Sequence, residues 1–252
     1  MSKTFIVLPD PHADPDHSNE RADWMGALIA DVKPDVLVNI GDTADMASLS
    51  THTDFNTGNY EKDIDAHLDF QERLFYPMKR SKRKQPRRVF CVGNHEYRIT
   101  RALEARPELA GGRYGLSMND LELDRAYHNV VHYENDTPGI INLEGVDFAH
   151  YFISGVMGKP IAGVNHARSL VLKNMNSSVC GHSHLYDYSE VTNATGKTFQ
   201  GLVCGVGSDQ DPKWAGNRAK LWRPGVVILR NVEDGNFDHQ WISLDSLKKE
   251  YA

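Results

Sequence analysis

Cysteine is almost missing from this chain. Cys91, Cys180 and Cys204 are an odd number, far apart and each beside apolar neighbours, which excludes a disulfide framework and reads as reduced core thiols in a cytoplasmic protein. An excess of positive charge is missing too: 28 Lys and Arg against 34 Asp and Glu leave a net charge of −6. A uniformly basic nucleic-acid coat is excluded, whereas a local basic patch is not. The N-terminus lacks a long apolar run, since Phe5–Leu8 supplies only four such residues, too few for a signal-peptide core or a membrane span. The Asn-x-Ser/Thr matches at Asn135, Asn176 and Asn193 are therefore expected to be idle. No repeat and no low-complexity linker interrupts the 252 residues, so a single cytoplasmic domain over 1–252 is expected, long enough to bury its own core.

What is present is an alternation of short apolar runs with helical patterns. Phe5–Leu8 reads as a strand, and residues 18–32 as a helix with Ser18 as its cap and Trp24, Met25, Leu28, Ile29 and Val32 on one stripe. Pro34 ends that helix, and Val36–Ile40 forms the next strand. A second helix over 61–78 and a strand over Val89–Val92 complete a strand–helix–strand–helix–strand series, the pattern of a parallel sheet with helices on its faces. Residues 98–126 read as helix broken near Pro107 and Gly111-Gly112, followed by strands at 130–133, 140–143 and 146–151. A helix over 165–175, a short strand at Val179–Cys180 and a hairpin of Tyr186–Val191 with Thr198–Cys204 follow, strands at Val226–Leu229 and Phe237–Ile242 add to them, and the whole reads as one domain with two sheets.

Chemistry follows the apolar runs. Asp10 and His12 come after the first, Gly41, Asp42 and Asp45 after the second, and Gly93, Asn94, His95 and Glu96 after the third. His150 follows Val146–Phe148, and Gly181, His182 and His184 follow Val179–Cys180. Strand C-terminal ends are where open α/β sheets bind ligands. Residues two apart in extended chain point the same way, so Asp10 with His12, and His182 with His184, can address one site. Imidazole, carboxylate and amide oxygen form a mixed N/O donor set suited to Mn, Fe, Zn, Co or Ni, and the lack of cysteine disfavours a structural zinc knot.

In that order, Asp10-x-His12, Gly41-Asp42-x-x-Asp45, Gly93-Asn94-His95-Glu96, His150 and Gly181-His182-Ser183-His184 closely resemble the motif series of the calcineurin-like metallophosphoesterases. The resemblance implies a four-layer α/β/β/α sandwich with two mixed sheets and two divalent metals, Mn foremost, at the strand C-terminal ends. It implies that Asp10, His12, Asp42 and His184 hold one metal, that Asp42 bridges to the second, and that Asn94, His150 and His182 complete that second site. His95 would stand unligated beside the substrate phosphate, with Asp45 orienting it. The implied reaction is hydrolysis of a phosphate ester by in-line attack of a metal-bridging hydroxide.

The protein Ser/Thr phosphatase branch carries an Arg-Gly pair after the second motif, whereas here Asp45 is followed by Met46-Ala47, which disfavours that branch. Arg98 and Arg101 are placed either to contact phosphate oxygens or to be solvated helix charges. Lys79–Arg88 holds seven basic residues in ten and runs into the strand before Asn94; it suits a polyanion such as DNA or RNA, or else is a solvated surface loop. The expected substrate is thus a nucleic acid or nucleotide diester, with a phosphomonoester as the alternative and a non-catalytic scaffold as the remote one. The insertion Ser48–Tyr60 is expected to border the site. His17 and His52 are read as solvent-facing, His166 as a helix N-terminal residue able to donate to a phosphate but left out of the site, and Trp214 and Trp222 as packing the edge of the second sheet, beside Arg223, rather than lining a pocket.

Overall fold

The computed structural model describes residues 1–51, 58–80, 84–111, 115–210 and 213–252, with backbone alone at 213 and 214. The first sheet is built from β1 (Lys3–Leu8), β2 (Val36–Asn39), β3 (Arg87–Cys91), β4 (Asn129–Val131), β12 (Gly225–Glu233) and β13 (Asn236–Ser243) in the order β13-β12-β1-β2-β3-β4. Its β1 to β4 portion is parallel, and β12 and β13 add antiparallel. The second sheet takes β5 (Ile141–Leu143), β6 (Val146–Phe148), β9 (Ser178–Cys180), β10 (Tyr186–Thr192) and β11 (Thr198–Cys204) in the order β10-β11-β9-β6-β5. It is mixed as well, β9 running parallel to both neighbours. A two-stranded hairpin, β7 (Ile153–Ser154) with β8 (Lys159–Pro160), stands apart.

Alternation along the strands sorts the side chains into layers. On β1, Ile6 and Leu8 face α1 (Glu20–Val32) and α2 (Tyr60–Arg80), whereas Phe5 and Val7 face the second sheet. On β2, Leu37 goes to the helices and Val36 and Val38 to the interior of the sandwich. Phe148, Val179, Leu202 and Cys204 meet them from the opposite sheet. Cys180 and Val203 point away from the sandwich and pack with Ala167 and Leu170 of α5 (His166–Asn174). The result is the α/β/β/α arrangement, a period-two pattern on each strand filling two sides. All three thiols are free and buried, and burial pushes Cys91 up to about 12, as expected of inert core cysteines.

The long helical reading of 98–126 resolves into α3 (Tyr97–Ala105), 3-10 turns at Pro107–Leu109 and Met118–Leu121, and α4 (Leu123–Ala126). Pro107 starts the first turn because it lacks the N–H that continuing the helix requires. Ser18 is not the cap of α1. Asn19 holds that position, its amide spent on Ala66 O (2.9 Å) and Asp69 (3.0 Å), while Ser18 Oγ accepts the Glu20 N–H at 3.2 Å. A C-terminal helix, α6 (Leu244–Tyr251), was not anticipated. Ser243 caps it by accepting the Ser246 N–H, and Leu244 and Leu247 bury its inner side. Among the described residues no helix is long and apolar enough to cross a membrane.

Phe148 is fully buried between the sheets, its ring 5.9 Å from that of Phe5. Phe148→Ala is expected to lower stability by about 3–5 kcal/mol, read from urea unfolding. A loss below about 1 kcal/mol would mean that the sheets do not close on one another there.

Candidate metal centre

Five strands end at one place. β1, β2 and β3 of the first sheet lead into Asp10 and His12, Asp42, and Asn94 and His95, while β6 and β9 of the second lead into His150 and into His182 and His184. The loops are tied together by backbone bonds, His12 N–H to Asp42 O (2.9 Å), Asp45 N–H to Ala13 O (2.9 Å) and Gly181 N–H to His150 O (3.0 Å). Asp10, His12, Asp42, His182 and His184 all adopt positive φ, between 40° and 64°. Non-glycine residues reach that region at a cost of about 1–3 kcal/mol each, so the surrounding sheets must impose it. Gly181 is where two of these loops touch: a Cβ there would lie 2.6 Å from Asp10 Oδ1.

The side chains converge in two groups. His12 Nε2 and His184 Nε2 are 3.0 Å apart, and His184 Nε2 is 3.6 Å from Asp10 Oδ2. His150 Nε2 lies 3.3 Å from Asp42 Oδ2 and 2.9 Å from Asn94 Oδ1, and ligand atoms of Asp42, His150 and His182 all fall within 4.8 Å of one another. His150 Nδ1 donates to Ile40 O at 2.8 Å, which turns Nε2 toward two oxygen acceptors. His12, Asp45 and His95 form a further cluster within 4.8 Å. There the Asp45 carboxylate lies 3.0 Å from His12 Nδ1 and 3.2 Å from His95 Nδ1, the arrangement of an acceptor shared by two imidazole N–H groups.

The donor set fits a cation. Asp10 and Asp42 are 0% and 2% exposed, and their ion-pair partners among the described residues are histidines alone. Asp10 Oδ2 accepts the His182 N–H, but the buried Asp10 Oδ1 has no hydrogen-bond partner. Burial, reinforced by Asp42 and opposed by His150, pushes the Asp10 carboxyl up to about 7. Burial works against charge on His150, yet Asp42 and Asp10 outweigh it and lift that imidazole to about 9. Burial pushes His182 down to about 3 and His184 well down, leaving two neutral imidazoles, the ligand form.

His95 is buried beside this cluster. Its Nδ1 donates to Asp45 O at 2.7 Å, and its Nε2 faces Arg98 Nη2 at 3.1 Å and Asp42 Oδ2 at 3.8 Å. Burial opposes its charge, but Asp42 and Asp45 prevail and raise its pKa. Asp45 is itself held well below the carboxylate range, the bonds from His12 and His95 overcoming burial. Arg98 donates to the carbonyls of Asp45 (2.7 Å) and Met46 (3.2 Å), so it braces that loop instead of standing as a solvated charge. Arg101 is exposed on α3, and the structure gives it no contact with these residues.

Sequence reasoning left several neighbours without a task. Glu96 is fully buried and accepts four backbone N–H groups, from Asp42 (3.0 Å), Thr43 (2.6 Å), Ala44 (3.0 Å) and Gly93 (2.9 Å), thereby joining the second and third motif loops. Trp222 reaches the cluster, its ring 4.3 Å from that of His184 at 85°. Tyr151 flanks the other side, 4.7 Å from the His182 ring. The cation above Trp241 is Arg223, at 4.8 Å. His166 is buried, with Nδ1 3.1 Å from Ser183 Oγ, whereas His17 is exposed against Asp14. His52, with the rest of residues 52–57 of the Ser48–Tyr60 insertion, falls outside the described residues, as does the Trp214 side chain.

A family model of the calcineurin-like phosphoesterases matches residues 3–200, and the chain belongs to that family. Among solved structures it is similar to a dimetal phosphatase from Danio rerio, at 10% identity over 96% of each chain with a TM-score of 0.44. It is also similar to Yfce, a phosphoesterase from E. coli, at 14% identity over 96% of this chain and 99% of that one, with a TM-score of 0.37. A search of the curated proteins found no match.

A divalent ion bound to these atoms must displace protons from His150 and Asp10. Its affinity for the metal-free protein is therefore expected to rise as pH climbs from about 7 to about 9. Calorimetric titration at several pH values checks this, and a pH-independent affinity would show that neither group is a ligand.

Proposed function

We propose that the chain is a binuclear metal-dependent phosphodiesterase acting on a nucleotide or another small diester. The observation that carries the reading is the pair of buried carboxylates, Asp10 and Asp42, set among imidazoles and without a Lys or Arg ion pair among the described residues. Asp10, His12, Asp42 and His184 would hold one ion, and Asp42, Asn94, His150 and His182 the other. The N/O donor set suits Mn first, with Fe, Zn, Ni or Co as alternatives. Such ions supply Lewis-acid polarisation of the phosphoryl group and activation of water at neutral pH.

The remaining work falls to the protein's own groups. Once Nε2 exchanges its contact with Arg98 Nη2 for the substrate, His95 in its imidazolium form, favoured by Asp42 and Asp45, would present Nε2–H toward the leaving oxygen and protonate it as the ester bond breaks. Asp45 fixes the ring through Nδ1 and keeps that proton on the far nitrogen. Three unpaired buried thiols suit a cytoplasmic setting.

Charge favours a diester over a monoester. A monoester dianion brings one more negative charge, commonly met by a free arginine. Among the described residues the guanidinium that reaches this cluster is Arg98, with Nη1 taken by two carbonyls and Nη2 directed at His95 Nε2. Size favours a small substrate over a polymer. The described part of the basic run lies at the end of α2 and the start of β3, one strand length, about 15 Å, from the Gly93–Glu96 loop. The basic run therefore does not flank the site as its sequence position implies.

His95→Ala is expected to keep its metal content and lose at least ~10²-fold in kcat; near-normal turnover would remove His95 from the chemistry. Bis-p-nitrophenyl phosphate should be hydrolysed faster than p-nitrophenyl phosphate in a panel run with Mn, Ni, Zn and Mg, and labelled DNA and RNA should stay intact. A preference for the monoester would overturn the diester reading, and efficient polymer cleavage the small-substrate reading.

A further inference from the structure

Arg21 is an arginine in the wrong place for stability. It lies in the first turn of α1, where the helix dipole disfavours a cation, and it is 2% exposed. No carboxylate forms an ion pair with it among the described residues. Burial lowers its pKa to about 10, with Asp209 and Asp14 opposing from a distance. One flank rests on Phe70, 5.6 Å from the ring centroid. A buried guanidinium with these neighbours is a device that an apolar side chain of equal length would replace without loss, unless its hydrogen bonds serve a purpose.

Its hydrogen bonds all go to backbone carbonyls around the first motif. Nε and Nη2 both donate to Pro11 O, at 3.2 and 2.7 Å, Nη2 also to His12 O at 3.0 Å, and Nη1 to Ser18 O at 2.6 Å. Pro11 stands between Asp10 and His12, which have φ of 40° and 47°. The planar fork thus grips the two peptide units on either side of His12, the first of them one residue beyond Asp10, in a stretch whose backbone relaxes elsewhere if released. Gln210 adds a second donor to His12 O at 3.1 Å. The second motif loop has the converse device, a buried carboxylate gripping amides, in Glu96.

We infer that Arg21 is a positioning residue for the first metal: through the Pro11 and His12 carbonyls it holds His12 in ligating orientation, and Asp10 only by way of Pro11, while the second group (Asp42, Asn94, His150 and His182) is independent of it. This rests on the two-metal reading above, and the test separates the two. Metal-free wild type, Arg21→Met and Arg21→Lys are titrated with Mn²⁺ by calorimetry, alongside circular dichroism and thermal melts. Wild type should bind two ions. Arg21→Met should weaken one site at least tenfold and leave the other unchanged. Arg21→Lys, which keeps the charge but not the planar fork, should fall between. Wild-type affinity at both sites in both variants overturns the inference alone. Equal weakening of both sites, in step with a lower melting temperature, also overturns it, because the guanidinium would then be merely structural. Should Arg21→Met fail to fold, Arg21→Lys decides by the same criterion. Wild type that binds no Mn²⁺ removes the two-metal reading and the inference with it.

Discussion

Negative charge buried at the seam of two sheets is the constraint around which this molecule is arranged. Asp10, Asp42 and Glu96 are all withdrawn from water, and a carboxylate in that position must be paired, hydrogen-bonded or protonated. Glu96 is satisfied by four amides. Asp42 receives one, from His95, and faces His150. Asp10 receives one, from His182, and keeps an oxygen with none. The imadequacy of that supply sits where the imidazoles of His182 and His184 resist protonation. A divalent cation is the species that relieves the carboxylates and uses the neutral rings at once.

Such a centre requires geometry that free chain avoids. Five residues at strand ends sit at positive φ, and each is held there by bonds from outside its own loop. Asp42 is fixed by Glu96 and by the His12 amide, His184 by the Arg223 amide, and His182 by Asp10. The sandwich interior, with Phe5, Phe148, Val38 and Val179 fully buried, supplies the rigid frame. Stability is thus concentrated in the strands and strain at their ends, as expected where side chains must be presented and not packed.

Much of this was legible in the sequence because strand and ligand follow one another along the chain. Each apolar run ends within a few residues of its polar group, so order alone placed Asp10, Asp42, Asn94, His150 and His182 at strand termini. Properties that depend on the fold in three dimensions were not legible. The described residues of the basic run, 79–80 and 84–88, are near Asn94 in number but at the opposite end of β3, a distinction that a list of residues does not carry. Trp222 meets His184 across a gap of 38 positions, through the Arg223 amide bond to His184 O. Arg21 did leave a signal. It stands four before Met25 and seven before Leu28, on the apolar stripe of α1, and a charge on such a stripe marks a buried polar contact. The helix after Ser243 left a weaker one, a capping serine before two leucines three apart.

The distribution of charge beyond the centre bears on what can approach it. Asp45 and Asp14 both lie close enough to Asp63 for their fields to act on it, and Asp14 and Asp209 act together on Arg21. The approach on the His12 side is therefore acidic. Each phosphate of a long polyanion beyond the one at the centre would meet that field, and within a Debye length, about 8 Å at physiological salt, it would be only partly screened. A compact ester with one negative charge, the proposed substrate, would meet the same rim but place that charge at the centre, where two divalent ions would neutralise it. In the proposed two-ion site, repulsion at the rim with attraction at the focus would disfavour extended anions.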